Sequence, residues 1–372
     1  MKLNRFLTLC TITIVLTSSA CKKEKDDGPE LNNLPAFFIP KVFKDYGKVK
    51  PEMVLVASNR EFVNDPWDID FHPTRANELW ILNKGTEQTG GTTVTLKNAG
   101  MPNQEALFRK DQNSWHFMAL PSALSFGPNG DWATSAEILD ANRRGGSFTG
   151  PSLWSGNMSI YAQPSGGNGS HLDMLHGSPY SMGIESDNNG NAYWVFDGYN
   201  KHICKYDFNQ DHGPGNSDHD DGTIHRYTEL TVTREPGVPS HMVLDKNTKW
   251  LYIADPANSR ILMMNTKTGT KKSDIPLVNE VLAQHWEMEG LEWKVFTNIN
   301  LKKPAGIEIS QGLLYVSDYE TGEIIAYNLS TQQEMGRIST GKSRVMGIKA
   351  NTDGKLWFVA NGSNEIYRID PK

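Results

Sequence analysis

Cysteine is scarce in this chain: its 372 residues include only Cys10, Cys21 and Cys204. Because the first two fall near the N-terminus, Cys204 has no disulfide partner in the long remainder of the chain. A secreted domain without disulfides depends on its hydrophobic core for stability. About three hundred residues remain for that core, which is within reach of one large domain.

Basic clusters and long apolar runs are also missing. The formal net charge is −6, with 37 Lys and Arg residues against 43 Asp and Glu residues, and no stretch concentrates the positive charge. Nucleic acid is therefore not expected as a partner, since phosphate backbones are bound through basic patches. The apolar run near the N-terminus, Phe6–Leu16, is too short for a permanent transmembrane helix.

The first 20 residues have the pattern of a signal peptide, since basic residues precede the apolar run and small residues follow it. The ending Leu16–Cys21 resembles a bacterial lipobox. This resemblance implies cleavage before Cys21 and lipidation of Cys21, and an ordinary secretory signal is the alternative. We therefore predict a lipoprotein signal peptide over residues 1–20.

The residues that follow Cys21 are charged and lack periodicity. Lys22–Asp27 resembles the export signal of Bacteroidetes-type lipoproteins, which implies display on the cell surface; a charged spacer is the alternative. Pro, Asn, Lys and Asp recur up to about residue 50, as is typical of a flexible tether. We predict a lipidated Cys21 with a tether over residues 21–50, and a protein lipid-anchored to the outer membrane of the cell.

One short pattern returns along the rest of the chain: an apolar strand, a turn that begins with Asp or Asn, and a second strand. The clearest copies are Tyr193–Ile203, Trp250–Ile261, Leu314–Ile325 and Leu356–Ile366. Repeats of this length with β-structure in each unit indicate a propeller. We predict an all-β, six-bladed β-propeller over residues 51–372, with units that begin at Pro66, Pro121, Ser181, Pro239, Pro304 and Val345.

Two segments depart from this pattern. Met53–Ala57 precedes the first unit, and we expect it to pair with Ile366–Ile369 and close the ring, because an open ring would leave an exposed sheet edge. In the second unit, an insertion over Ile138–Asn157 comes before a predicted strand at Met158–Tyr161. Insertions on such a scaffold usually lie on one rim and carry binding surfaces.

The units resemble NHL repeats, and the chain resembles NHL and TolB-like six-bladed propellers over roughly residues 50–370. The resemblance implies a binding surface at the mouth of the axial channel. The chain is also similar in part to peptidyl-hydroxyglycine lyases, which are propellers that hold zinc through three histidines at that mouth. His241 stands at one such position, whereas Gly183 and Gly306 occupy the corresponding places of two other units.

The first residues of each inner strand are expected to surround one opening of the channel. The aligned residues are Asp68, Ala123, Gly183, His241, Gly306 and Gly347. We expect the small residues to leave room for a ligand. Asp68 and His241 could bind a metal or exchange protons with a substrate. Alternatively, they only form hydrogen bonds with the ends of the strands.

Two further histidines, His171 and His176, stand just before the third unit. Imidazole and carboxylate groups suit zinc, iron or copper. We predict that His171 or His176 reaches the opening that holds His241 and Asp68, and that His241, His171, His176 and Asp68 supply the ligands of a transition-metal site. The alternative is a loop that merely packs its histidines.

The densest oxygen cluster of the chain follows the third unit. Asp207, Asn209 and Asp211 alternate with other residues, a glycine turn comes next, and Asp218 stands at the twelfth place. This spacing resembles that of a calcium loop, although a solvated loop is the alternative. We predict these four residues as calcium ligands.

The sequence therefore supports two functional hypotheses. The first is a cell-envelope lipoprotein whose channel mouth binds a small molecule, a peptide or a protein from outside the cell. The second is a metal-dependent lyase or hydrolase with a His/Asp site on the propeller axis.

Overall fold

The computed structural model describes residues 51–370, except 164–166, 217 and 278–279. The predicted signal peptide, Cys21 and the predicted tether lie outside these residues. Within the described part of the chain, no helix combines the length and the apolar character that crossing a membrane requires.

Six β-sheets surround one axis, which confirms the predicted six-bladed propeller. The chain starts with β1 (Glu52–Ala57), which belongs to the last blade. Blade 1 contains β2 (Pro66–Phe71), β3 (Leu79–Thr86), β4 (Gly90–Lys97) and β5 (Glu105–Arg109). Blade 2 contains β6 (Pro121–Phe126), β7 (Trp132–Ala136), β8 (Ser152–Trp154) and β9 (His171–Met174). Blade 3 contains β10 (Gly183–Ser186), β11 (Ala192–Asp197), β12 (His202–Asp207) and β13 (Thr223–Tyr227).

The other three blades follow in chain order. Blade 4 contains β14 (Met242–Leu244), β15 (Trp250–Asp255), β16 (Arg260–Asn265) and β19 (Trp293–Thr297). Two further strands, β17 (Thr270–Asp274) and β18 (Gln284–Glu289), are inserted between β16 and β19. Blade 5 contains β20 (Pro304–Ser310), β21 (Leu313–Asp318), β22 (Glu323–Asn328) and β23 (Glu334–Ser339). Blade 6 contains β24 (Val345–Ala350), β25 (Leu356–Ala360), β26 (Glu365–Asp370) and β1. The described helical elements are α1 (Ser114–Phe117) and short 3₁₀ turns at Asn59–Glu61, Pro256–Asn258 and Asn361–Ser363.

The first strand of each blade lies innermost, and β2, β6, β10, β14, β20 and β24 contact one another in this order around the axis. The ring is complete because β24 also contacts β2. Side chains on these six strands therefore meet at the axis, where the sequence predicted a site.

The N-terminal strand closes the ring, as predicted. β1 pairs antiparallel with β26, with Met53 opposite Ile369 and Leu55 opposite Tyr367. This pairing covers the N–H and C=O groups along the outer edge of β26, which would otherwise be open to another chain.

The hydrophobic core lies between neighbouring blades. Because each blade is covered on both faces, its strands read as nearly continuous apolar runs, and β15 is buried at every residue but its first. Between blades 1 and 2, the core is an aromatic cluster that includes Trp80, Trp132, Trp154 and Tyr161. Large rings of this kind bury much apolar area where two sheets splay apart.

Blade 2 differs from the prediction, because Met158–Tyr161 forms turns instead of a strand. The Ser159 N–H donates a hydrogen bond to Asn157 Oδ1 at 3.0 Å, a local bond that favours a turn. Tyr161 packs its ring against Trp80 inside the aromatic cluster. The strand prediction is wrong because the apolar residues of this segment pack against the core from a loop instead of forming a strand.

Blade 3 carries a feature that the repeat pattern did not predict. β17 and β18 form an antiparallel hairpin that comes from the chain of blade 4, and β18 pairs in parallel with β13. The ring of His225 stacks on that of Trp286, with 4.7 Å between their centres. This edge hairpin, which comprises residues 270–277 and 280–289, covers the outer edge of blade 3 and gives its sheet six strands.

Candidate functional site

Asp68 and His241, here called the axial pair, meet across the propeller axis. Asp68 lies in β2 of blade 1 and His241 directly precedes β14 of blade 4, and these blades are opposite each other in the ring. His241 Nδ1 is 3.5 Å from Asp68 Oδ1, and His241 Nε2 is 3.1 Å from the carbonyl oxygen of Ser122 in blade 2. One imidazole ring thus links three blades.

The axial pair is buried, since each of its residues exposes only 5% of its surface. The carbonyl of Ser122 can only accept, so the imidazole donates to it from Nε2. Asp68 Oδ2 accepts a hydrogen bond from the Leu124 N–H at 3.0 Å, and Oδ1 accepts one from the Ile69 N–H at 2.9 Å. Burial raises the pKa of the Asp68 carboxyl, although the neighbouring imidazole opposes this shift. The polar atoms of the pair are therefore used in joining blades.

The small residues at the aligned positions do not leave room for a ligand. A Cβ atom at Gly183 would clash with the carbonyl oxygen of Ser240 on the neighbouring inner strand. A Cβ atom at Gly347 would clash with Asp68 Oδ1, and Gly306 is blocked in the same way by backbone of the next blade. The expectation that these small residues leave room for a ligand is wrong, because glycine is needed where the inner strands approach closely.

His171 and His176 do not join the axial pair. His171 lies in β9, the outermost strand of blade 2, where its ring stacks on Phe117 and its Nδ1 is 2.9 Å from the carbonyl oxygen of Asn168. Burial lowers the pKa of His171 to about 4. His176 follows the same outer strand. The predicted four-residue metal site is not formed, because the histidines are at the outside of a blade and the axial pair is at the inside.

The later residues of the six inner strands surround a cavity of about 480 Å³, here called the axial cavity. This volume is within the range of ordinary ligand pockets. Four acidic side chains and two lysines contribute to its lining: Asp70, Glu185, Asp245, Glu308, Lys246 and Lys349. The axial cavity therefore has an excess of negative charge.

Two of these carboxylates accept hydrogen bonds from the backbone of the next blade. Asp70 Oδ2 accepts from the Phe126 N–H at 3.0 Å, and Glu185 Oε1 accepts from the Leu244 N–H at 3.1 Å. Neighbouring inner strands belong to different sheets, so their amides need acceptors outside their own ladder. Asp70 and Glu185 thus serve the same structural purpose as Asp68.

Glu308 is different, because its buried Oε2 atom has the Lys349 ammonium as its neighbour and no well-formed hydrogen bond. Lys349 Nζ lies 3.4 Å from this oxygen and 3.7 Å from Asp70 Oδ1. Burial raises the pKa of Glu308 to about 7, although Lys349 opposes the shift. Burial also acts against the charge of Lys349, but the surrounding carboxylates raise the pKa of Lys349 well above its ordinary value. Glu308 and Asp70 therefore share one cation, Lys349, in this part of the cavity.

A second group of titratable side chains lies at the outer rim, where blades 2 and 3 meet the edge hairpin. His176 Nδ1 is 2.6 Å from Glu280 Oε2, and His219 Nδ1 is 2.7 Å from Asp173 Oδ1. The centres of the two imidazole rings are 5.8 Å apart. These four residues are here called the rim cluster.

The rim cluster contains buried atoms without partners. His176 Nε2 and Asp173 Oδ2 have no hydrogen-bond partner. Burial raises the pKa of Asp173, and it lowers that of His219, whose pKa is nevertheless raised above its ordinary value by the hydrogen bond and charge of Asp173. His176 and Glu280 also line a second cavity of about 450 Å³, which opens beside the edge hairpin.

The predicted calcium ligands are involved in turns of their own loop. Asp207 Oδ1 accepts from the Asn209 N–H at 2.9 Å, and Asp211 Oδ1 accepts from a backbone N–H two residues on at 2.7 Å. Among the described residues, the acid of this loop that belongs to a group of three close ligand-type side chains is Asp221, together with Asp173 and His212. Calcium binding by the four predicted residues stays a prediction.

Sequence reasoning missed Glu308 and Lys349, although a signal was present. Each stands two residues after a glycine at an aligned axial position, and residues two apart on a strand face the same side. Asp70 likewise stands two residues after Asp68. For Glu280 there was no such signal, because it is 104 residues from His176 and reaches the rim through the edge hairpin.

No family model matches the chain, and no curated protein is significantly similar to it. Among solved structures, the chain is similar to an auxiliary nutrient binding protein from Bacteroides ovatus ATCC 8483, with a TM-score of 0.58 and 10% identity over 87% of this chain and 77% of that chain. An auxiliary nutrient binding protein from Bacteroides thetaiotaomicron VPI-5482 has a TM-score of 0.55, with the same identity and coverage. A nidogen/laminin complex has a TM-score of 0.50, with 14% identity over 77% of this chain and 85% of that chain. At these identities the similarity shows a shared fold.

Proposed function

We propose that this protein is a cell-envelope binding protein that holds a small cationic ligand, of the primary-amine class, in its axial cavity. The observation that carries this proposal is the charge of the cavity lining: carboxylates outnumber lysines, and, among the described residues, Lys349 alone lies within ion-pair distance of both Glu308 and Asp70. An ammonium group would add a second donor and a further compensating charge among these carboxylates.

Two observations support a binding role over the enzyme hypothesis. The axial pair is buried and bonded to backbone groups, so it offers no open position to a substrate. Two structural neighbours from Bacteroides are described as auxiliary nutrient binding proteins, and we carry ligand binding over to this chain as part of the proposal.

The cellular location is a further part of the proposal. Leu16–Cys21 resembles a lipobox and Lys22–Asp27 resembles a surface-export signal. We therefore place the protein on the outer membrane, lipid-anchored through Cys21. Metabolic labelling with a fatty acid should mark the wild type and not Cys21→Ala, and equal labelling of the two would refute the anchor.

Calorimetric titration of the purified protein tests the ligand class. Spermidine and glucosamine represent amines, glucose represents neutral sugars, and glutamate represents acids. We expect amines to bind and Glu308→Gln to weaken their binding at least about tenfold, since one desolvated charged hydrogen bond is removed. Amine affinity should rise from pH 6 to pH 8, because the ammonium group binds the ionised form of Glu308, whose pKa is about 7.

A matched control is available in the same blade. Glu334 lies in β23, the outer strand of blade 5, and Glu334→Gln should leave amine binding unchanged. Preference for the neutral sugar, or equal amine affinity of Glu308→Gln and the wild type, would refute the proposed ligand class.

A further inference from the structure

The rim cluster brings together ligand-type side chains from three separate stretches of chain. His176 follows β9 of blade 2, His219 lies between β12 and β13 of blade 3, and Glu280 belongs to the edge hairpin. One ligand atom of each residue lies within 4.8 Å of the ligand atoms of the other two. Two imidazoles and a carboxylate are the donor types that zinc prefers in proteins, apart from thiolate.

The separations are compatible with a common ion. Nitrogen and oxygen ligands lie about 2.0–2.2 Å from zinc, so ligands of a tetrahedral site are about 3.3–3.6 Å from one another. The upper limit of 4.8 Å in this structure exceeds that value by only about 1.2 Å. Both Glu280 oxygens now bond to His176, Oε2 to Nδ1 and Oε1 to the backbone N–H, each at 2.6 Å, so Glu280 would exchange its bond to Nδ1 for the ion.

The unpartnered atoms are a second, independent observation. His176 exposes 5% of its surface, and its Nε2 atom has no hydrogen-bond partner. Asp173 is fully buried and holds His219 through Nδ1, which leaves Nε2 of His219 to bind an ion. A carboxylate behind a ligating histidine fixes its tautomer and its orientation in many metal sites.

We propose that His176, His219 and Glu280 bind one divalent transition-metal ion of the zinc class, with Asp173 as the positioning residue for His219. Only His176 belongs to the metal site predicted from the sequence. Three protein ligands leave one coordination position, and the cavity beside His176 and Glu280 gives water or a ligand oxygen access to it. The ion would also tie the edge hairpin to blades 2 and 3.

Metal binding by the purified full-length protein tests this proposal directly. The protein is stripped with a chelator, and zinc is titrated in competition with a chromophoric chelator, while cobalt absorbance reports the coordination geometry. We expect one ion per chain. His219→Ala and Glu280→Gln should each weaken zinc binding at least about 100-fold, and Asp173→Asn about 10- to 100-fold, as is usual for a residue that orients a ligand.

The matched control is His225→Gln. His225 lies at the same junction of blade 3 and the edge hairpin, where it stacks on Trp286, but it is outside the rim cluster. We expect this variant to keep one ion with wild-type affinity, and circular dichroism should confirm that all variants are folded. Absence of zinc binding at micromolar concentration, unchanged affinity in His219→Ala and Glu280→Gln, or an equal loss in His225→Gln would each overturn the proposal.

Discussion

The axial pair and the rim cluster both join histidine to carboxylate, but their surroundings differ. At the axis, Asp68 accepts two backbone hydrogen bonds and His241 donates to a third backbone group. At the rim, His176 and Asp173 each keep a buried atom without a partner. Backbone groups also donate to Glu280 Oε1 and Asp173 Oδ1 at the rim, so the difference lies in the two buried rim atoms that keep no partner.

The difference follows from the architecture of the propeller. Inner strands of neighbouring blades approach closely without forming a common ladder, so their backbone groups face the side chains at the axis. The outer rim is built from loops and an inserted hairpin, where side chains from distant parts of the chain meet one another instead. A polar residue near the axis is therefore a weaker indication of function than one at the rim or in the axial cavity.

The largest effect is expected from Gly183→Ala, which tests the close approach at the axis. The added Cβ atom would clash with the carbonyl oxygen of Ser240, and neither backbone can retreat without disturbing the ring. We expect a loss of more than about 4 kcal/mol in the free energy of unfolding, or failure to fold. Urea denaturation followed by circular dichroism measures this loss.

Gly146→Ala is the control for this substitution. The atom nearest to its added Cβ would be Asp140 Oδ2 at 3.6 Å, an ordinary contact. Its stability should stay within about 0.5 kcal/mol of the wild type. Similar stabilities of the two variants would mean that the inner strands are not closely packed.

A smaller effect is expected from His241→Ala, which separates the structural role of the axial pair from metal binding. Loss of the imidazole leaves buried Asp68 without its neighbour across the axis and removes the link to Ser122. The free energy of unfolding should fall by about 3 kcal/mol, while bound zinc should stay at the wild-type level. Denaturation in the presence of a chelator measures the free energy of unfolding. Metal analysis measures the bound zinc. Loss of zinc without loss of stability would reverse the roles assigned to the two regions.

The smallest effect is a pH dependence in the axial cavity. The pKa of Glu308 is about 7 in the folded protein against an ordinary value of 4.5, so the folded state binds more protons between these values. The contribution of Glu308 to stability therefore falls as pH rises through this window. Glu308→Gln removes it, and the stability of this variant relative to the wild type should be about 2 kcal/mol greater at pH 8 than at pH 5. A difference that is the same at both pH values would contradict the raised pKa.

The fold could be predicted because each propeller repeat depends on contacts between residues that are close together in the sequence. In blade 4, for example, Asp255 accepts hydrogen bonds from the Asn258 side chain and from Arg260 Nε, and these contacts fix the turn between β15 and β16. Asp197 and Asp318 form the corresponding turns of blades 3 and 5, so the boundaries of these units can be read from the sequence. The closing role of Met53–Ala57 followed because this strand has no local partner.

The candidate sites were harder to predict, because they depend on contacts between distant residues. Alignment correctly placed Asp68 and His241 at the axis, but the space around them depends on how closely neighbouring blades approach. The rim cluster depends on the parallel pairing of β18 with β13, which no local pattern encodes. Glu280 therefore had no visible connection to His176 in the sequence.

The pairing of β1 with β26 also sets the order in which the molecule can be completed during synthesis. Blades 1, 2 and 5 each use one continuous stretch of chain, and they can fold as soon as that stretch has left the ribosome. Blade 6 joins the first described strand to the last one, with Met53 opposite Ile369. Until β26 has been synthesised, β1 has no partner strand and the ring of blades stays open, with exposed sheet edges.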